Sequence, residues 1–398
     1  MTLGPPLEGI KVLDLTQMMA GPFCTMLLGD MGADVVKIEK PDGGDDIRRA
    51  GPPFIKGESA AFLGINRNKR SMVLDLKSED GTAVLQRMAG RADVLVQNMR
   101  PGAMERLGLG YDDVSALNPS LIYCTISGFG KTGPYKDRPG FDLVAQGMSG
   151  LMSLTGVPGG PPMRNGVPIT DLNAGIYAAY GVLSAYISRL RTGRGQHVDT
   201  SLLEAGLAYT IWESAIFFAT GRPPGQVGSG HPLTAPYQAF ATSDGFIMVG
   251  AANQANWVRL CEAIGRADLL ADERFATSPL RMQNLAPLVE TIQQTLEARD
   301  TAHWLAVLEE GGVPSGPIND LAEVYADPQV IARNMVVDLE HPAAGTTRNI
   351  GIPVKLSETP GSVRAPAPTL GQHTGVVLSE YGFSADEIAG LKERGAVK

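Results

Sequence analysis

Cysteine and histidine are scarce in this chain of 398 residues. The three cysteines (Cys24, Cys124, Cys261) lie far apart with no C-x-x-C pair, which argues against a disulfide framework and against a structural zinc site. The five histidines contain no H-x-x-x-H spacing, so metal catalysis through His or Cys ligands is not indicated, and no metal is expected. An excess of basic charge is lacking too. Lys and Arg number 34 against 42 Asp and Glu, a net charge of −8 that disfavours whole-surface binding to nucleic acid or anionic membranes. The longest apolar run, residues 172–187, is interrupted by Asn173, Gly175, Gly181 and Ser184 and falls short of the ~20 residues that span a bilayer. The N-terminus shows no basic stretch followed by an apolar one, so no secretory signal is read. The expected compartment is cytoplasmic, or the mitochondrial matrix if a presequence has been removed.

What is present is an ordered, turn-rich composition. Hydrophobic residues make up 43% and charged ones 19%, with 48 glycines and 28 prolines. In the first 200 residues, short apolar runs at 10–15, 35–39, 71–76, 94–97 and 121–126 alternate with helical stretches such as 22–31 and 79–91. That rhythm predicts an α/β fold with a parallel sheet. Two long apolar helices are expected at 172–189 and 201–220. Past Gly221 a Gly/Pro-rich stretch leads to a hairpin over 240–250 and helices at 255–264, 285–298 and 302–310, a smaller α+β domain. After Pro317 the alternation is expected to resume, with a helix from Asp327-Pro328 and a strand at 335–339. The expected division is a large domain (1–224), a small domain (225–320) and a C-terminal segment (321–398) that rejoins the first.

Four local patterns bear on chemistry. The opening unit has a dinucleotide-binding rhythm but lacks G-x-G-x-x-G: the first turn reads Thr16-Gln17-Met18-Met19-Ala20-Gly21-Pro22, which disfavours a nicotinamide or flavin site. Gly130-Lys131-Thr132 lacks the upstream glycine of a phosphate loop, since Thr125 stands there, and reads as a turn. Between Lys37 and Lys77 nine basic residues face six acidic ones, a local +3 on a chain whose remainder is −11, which suits a small polyanion. Asp171, just ahead of the apolar run, reads as the N-cap of a helix beginning at Leu172. With an ordinary carboxylate pKa near 3.9 it would be about a thousand to one ionised at pH 7, an anion able to attack an activated acyl carbon without a partner base.

Several stretches together resemble the class III CoA-transferases, the family of formyl-CoA:oxalate, carnitine and succinyl-CoA:dicarboxylate CoA-transferases. They are VLDLTQMMAGP (12–22), ADVVKIE (33–39), NRNKRSMVLD (66–75), ADVLVQNMRPG (92–102), GVPITDLNAGIYAAY (166–180), TGRGQHVD (192–199), GVPSGPIN (312–319) and LGQHT (370–374). The resemblance implies an interlocked homodimer, a Rossmann-like large domain and CoA or acyl-CoA as a substrate with no tightly bound cofactor. It makes Asp171 the catalytic aspartate, which forms a mixed anhydride and then an aspartyl-CoA thioester. It assigns CoA contacts to Met19, Ala20, Lys40, Leu74, Lys77, Asn98, Met99, Arg100, Arg106 and Lys136, and a mobile glycine-rich loop to 228–231, including Gly230 and His231. In the oxalate enzyme a tryptophan narrows the site at the position matched by Ala50. The smaller residue, beside Arg48 and Arg49, implies a larger acid, a C4–C6 dicarboxylate, with succinyl-CoA as donor. Two rivals remain. One is an α-methylacyl-CoA racemase, which would need a histidine where Phe141 stands; the other is a non-catalytic CoA-binding protein.

Overall fold

Six strands form one parallel sheet in the computed structural model, which describes residues 4–398. They are β1 (Lys11–Leu15), β2 (Asp34–Glu39), β3 (Lys69–Val73), β4 (Val94–Gln97), β5 (Ile122–Ser127) and β6 (His197–Ser201), in the order β3-β2-β1-β4-β5-β6. Register is direct: Val12 lies beside Val35 and Val94, and Tyr123 beside His197. The strands are nearly continuous apolar runs because both faces of the sheet are covered. Side chains alternate between two cores. Leu13, Val36, Met72 and Leu95 pack with Val84, Leu85 and Met88, and with Val377, Leu378 and Tyr381 near the C-terminus. Their neighbours Val12, Val35, Val94 and Val96 face the other way, onto Ala20, Cys24, Leu28, Ala174, Ala178 and Val182.

The second face is built by α1 (Ala20–Asp30) and the long α3 (Ile169–Thr192); α2 (Asp142–Met148) and α4 (Leu202–Ala208) also pack on α3. Where α3 crosses α1 the backbones come very close. A Cβ on Gly175 would sit 2.7 Å from the Ala20 carbonyl oxygen, so only glycine fits. The single helix expected over 201–220 is instead broken into α4 and α5 (Ile211–Thr220), which meet at 71°. At the break the Thr210 hydroxyl hydrogen-bonds the Leu207 carbonyl at 2.9 Å and lies 2.8 Å from Ser214 Oγ, drawing the backbone away from straight helix. Among the described residues no single helix is long and apolar enough to cross a membrane, although α4 and α5 together pass that test of length and composition.

The strand expected at 335–339 does not extend the parallel sheet. Val336–His341 pairs with Gly345–Ile350 as a separate antiparallel hairpin, the nearest partner a short turn makes available. The C-terminal chain nevertheless returns to the sheet, where Val397 bridges to Leu74.

The chain divides into two compact units. The first comprises Met1–Met152, Arg164–Gly221 and Pro328–Lys398; the second comprises Ser153–Met163 and Arg222–Asp327. The second unit has a three-stranded antiparallel sheet, in which Phe246–Gly250 lies between Tyr237–Ala241 and Ser315–Pro317. The helices Gln254–Ala263, Leu285–Leu296 and Thr301–Glu310 close over a core of Phe240, Ile247, Trp257, Leu260, Ile292 and Leu308.

Candidate active site

The strand order reverses between β1 and β4, and in open α/β sheets ligands bind outside the carboxyl ends of strands at such a point. A cavity of about 200 Å³ lies there, lined by Thr16 and Gln17 after β1, Ile38 and Glu39 at the end of β2 with Lys40, Gly44 and Asp45 beyond it, Leu74 to Lys77 after β3, and Met99, Ala103, Met104 and Leu107 after β4. A larger cavity of about 440 Å³ opens at the starting ends of β2 and β3, lined by Asp34, Lys69, Arg70 and the segment following Arg364. Topology favours the smaller one.

Its floor is a turn held by buried side chains at nearly every backbone polar group. Asp14, at the end of β1, accepts the Thr16 N–H at 2.9 Å, and Lys37 donates to the Thr16 carbonyl at 2.9 Å. Asn98 accepts the Gln17 N–H and donates to the Gln17 carbonyl, both at 2.8 Å. Asp45 accepts the Met18 N–H at 3.1 Å, and Met18 takes a left-handed φ of 67°. Lys37 pairs with Asp45 at 2.8 Å, and Lys69 pairs with Asp14 at 3.0 Å while also donating to Pro22 O and Asn66 Oδ1. Burial works against the Asp14 anion, but Lys69, Lys37 and the Thr16 and Thr25 hydroxyls outweigh it and leave its pKa lowered to about 2.

These pairs correct the reading of the basic segment. Seven of its nine cations are already matched: Lys37 to Asp45, Lys40 to Asp46, Arg48 to Glu39, Arg49 to Asp42, Arg67 to Asp30, Lys69 to Asp14, and Arg70 to Asp34 and Glu380. Lys56 and Lys77 have no ion pair among the described residues. Composition counted charges that the fold spends internally. Arg48 is the clearest case. Its guanidinium grips both Glu39 oxygens at 2.7 Å, donates to Pro368 O and lies over the Phe62 ring, so it is not available to a second substrate carboxylate. Arg49 is exposed, donating to the Asp42 carbonyl at 2.7 Å and lying 3.5 Å from that residue's exposed carboxylate. Ala50 packs against the Ile47 and Phe62 cluster.

Of the residues matched to CoA contacts, Lys40, Leu74, Lys77 and Met99 line the cavity together. Met19 caps α1 and Ala20 is buried beneath α3. Asn98 stands next to the cavity with its amide committed to Gln17. Arg100, Arg106 and Lys136 are exposed and outside the lining. Gly230 and His231 belong to the second unit, where Ser229 accepts the Ala239 N–H and His231 meets the Tyr237 ring edge-on. Gln17, Asp45 and Met104 were missed by sequence; the strand-order rule would have pointed to the turns that hold them.

Asp171 sits on the first turn of α3, one turn before the Gly175 crossing with α1, the helix that follows the cavity's floor. It is not the helix cap. The helix starts earlier, at Ile169, and its early N–H of Thr170 is taken by Asp142 from α2 at 2.9 Å. Nor does Asp171 keep an ordinary carboxylate pKa. Burial first, and the negative charge of Asp142 second, push it up to about 7, outweighing the pull of the helix N-terminus. At neutral pH it is therefore about half ionised. Basicity and nucleophilicity rise together, so the anion is a better nucleophile than a solvated aspartate. Phe141, beside Asp142, is 71% exposed and carries no transferable proton. No group of His, Cys, Asp and Glu suited to a metal ion occurs among the described residues.

The model of CoA-transferase family III matches residues 7–374. Succinyl-CoA:glutarate CoA-transferase of Homo sapiens is 40% identical over 375 residues, covering 94% of this chain and 86% of that protein. Succinate--glutarate CoA-transferase of Agrobacterium fabrum is 41% identical over 382 residues, covering 94% and 96%. The crystal structure of a CAIB/BAIF family protein from Brucella suis superposes with a TM-score of 0.86 at 38% identity, covering 95% of this chain and 100% of that one.

Proposed function

The chain belongs to CoA-transferase family III and is a CoA-transferase; from that premise we propose that it moves CoA from succinyl-CoA to a C4–C6 dicarboxylate such as glutarate, with Asp171 as nucleophile. The observation that carries the reading is a half-buried carboxylate, pKa about 7, on the first turn of α3, one turn before that helix crosses the start of α1 at Gly175. The names of the relatives above support the donor and the acceptor class.

In the proposed sequence the Asp171 carboxylate attacks the donor thioester carbonyl, and the C–S bond breaks to give a mixed anhydride and CoA thiolate. The thiolate then attacks the aspartyl carbonyl, forming an aspartyl-CoA thioester and expelling the donor acid as its carboxylate. The acceptor carboxylate attacks that thioester, and the same steps in reverse place CoA on the new acid. Thioester and anhydride are comparably activated, so the exchange needs no external energy source, but it does need water kept out. In the cavity, Ile38, Leu74, Leu76 and Met104 offer apolar surface to the adenine, while exposed Lys40 and Lys77 reach the phosphates. The Lys40 pair with Asp46 is solvent-exposed and worth little, so exchange for a phosphate is cheap.

We also propose a homodimer, interlocked as in the family, in the cytoplasm or mitochondrial matrix. Apolar side chains on α3 and α5 support a partner surface: Tyr180 is 68% and Phe218 80% exposed, alongside Leu190 and Ile211.

Hydroxylamine quenching after incubation with succinyl-CoA, followed by mass spectrometry of the Asp171 peptide, tests the mechanism. A hydroxamate on Asp171, absent from Asp171→Ala, is expected. No adduct with any acyl-CoA, despite CoA binding, would overturn it.

A further inference from the structure

Asp142 has no part in the transfer steps, yet it grips the residue immediately before the nucleophile. Its Oδ1 accepts the Thr170 N–H at 2.9 Å and the Thr170 hydroxyl at 2.7 Å, and its Oδ2 accepts Gln146 Nε2 at 2.7 Å. Gln146 is fully buried, and its Oε1 accepts the Asn165 N–H at 2.8 Å. The acid and the amide, one turn apart on α2, thus hold both ends of the segment that delivers Asp171 to α3.

A helix start can be capped as well by Asn or Ser, without charge. Placing a second carboxylate beside a half-buried one costs like-charge repulsion, which a purely structural cap would avoid. The other titratable groups around Asp171 do not supply that charge. The elements packed most closely on α3 are α1, α2, α4, β5 and β6. Besides Asp142 they carry Cys24 and Asp30 on α1, Glu204 on α4, Tyr123 and Cys124 on β5, and His197 and Asp199 on β6. Asp30 is paired with Arg67, Glu204 accepts the Ser201 hydroxyl, and Asp142 is the charge that acts on Asp171.

We propose that Asp142 is a positioning residue for acyl transfer, anchoring the first turn of α3 through its two hydrogen bonds to Thr170 and setting a second carboxyl group beside the nucleophile. The proposal rests on Asp171 being the nucleophile.

The test is a carbon-13 NMR titration of side-chain carboxyls in aspartate-labelled protein, with the Asp171 signal assigned by Asp171→Asn. In Asp142→Asn, which keeps an acceptor for Thr170 but loses the charge, the Asp171 midpoint should fall by about one pH unit or more. An unmoved midpoint in the folded variant overturns the proposal. This titration needs no turnover, so absence of transferase activity would sink the proposed function while leaving the measurement readable. Should Asp142→Asn not fold, Thr170→Val decides. It retains the charge and loses the hydroxyl contact, and kcat should drop about tenfold with KM for the acyl-CoA held. Wild-type kcat in that variant overturns the anchoring role and the proposal with it.

Discussion

The Asn98 side chain pairs with the main chain of Gln17 as a second strand would, accepting its N–H and donating to its carbonyl, each at 2.8 Å. The residues are 81 apart in sequence, and the pair locks the floor of the cavity from across the β1–β4 switch point. Asn98→Ala removes both bonds, at about 1–3 kcal/mol of stability. Affinity for CoA should drop by more than the loss of a single distal contact, which calorimetric titration with CoA and thermal denaturation would read together. Unchanged CoA affinity would show that the turn holds its shape without Asn98.

Transfer should depend on pH through Asp171. Its ionised form is the proposed nucleophile and its pKa is raised to about 7, so kcat/KM for succinyl-CoA should climb from pH 5.5 through about 7 and level above it. A profile flat down to pH 5 would contradict the assignment.

The same group sets a stability trend. A carboxyl raised from 3.8 to about 7 in the folded state binds its proton more tightly there than in the unfolded chain. Its stabilising effect is present at low pH and is lost as pH rises through about 4 to 7. Asp171→Asn should therefore gain Tm relative to wild type as pH rises, and by pH 8 the difference should be at its largest. Thermal scans at pH 5 and pH 8 compare the two directly.

Asp171→Ala should abolish transfer, by about a thousandfold or more, while the protein still binds CoA. Steady-state assay together with CoA titration separates loss of chemistry from loss of fold.

The two adjacent arginines should behave oppositely. Arg48→Ala strands buried Glu39 and should cost about 3–5 kcal/mol, seen as a large fall in Tm. Arg49→Ala should leave Tm nearly unchanged and raise KM for a dicarboxylate acceptor more than for a monocarboxylate. Equal effects on both acids would remove Arg49 from acceptor recognition.

Much of the fold was legible from local pattern. The span 94–97 is a strand as read, the hairpin turns at Ser243 to Gly245, and β1, β2 and the three longest helices of the second unit lie within a few residues of their expected positions, although the short helices Asp268–Ala271 and Ser278–Gln283 were not foreseen. Those segments are governed by burial period and turn chemistry, which are properties of neighbouring residues. The misreadings came from hydrogen-bond partners that burial period does not encode. The 201–220 helix breaks because Thr210 finds backbone and hydroxyl partners, and 335–339 pairs with a hairpin neighbour rather than the main sheet.

The sequence by itself determined the α/β class and the family, and singled out Asp171 as the proposed nucleophile, because these rest on residue types in a fixed order along the chain. Tertiary structure decided what the charges do. It folded seven of nine cations into ion pairs, took Arg48 away from substrate and placed Asp142 beside Asp171 from 29 residues upstream. A pKa is set by burial and by the distance to other charges, and neither is written in the order of residues.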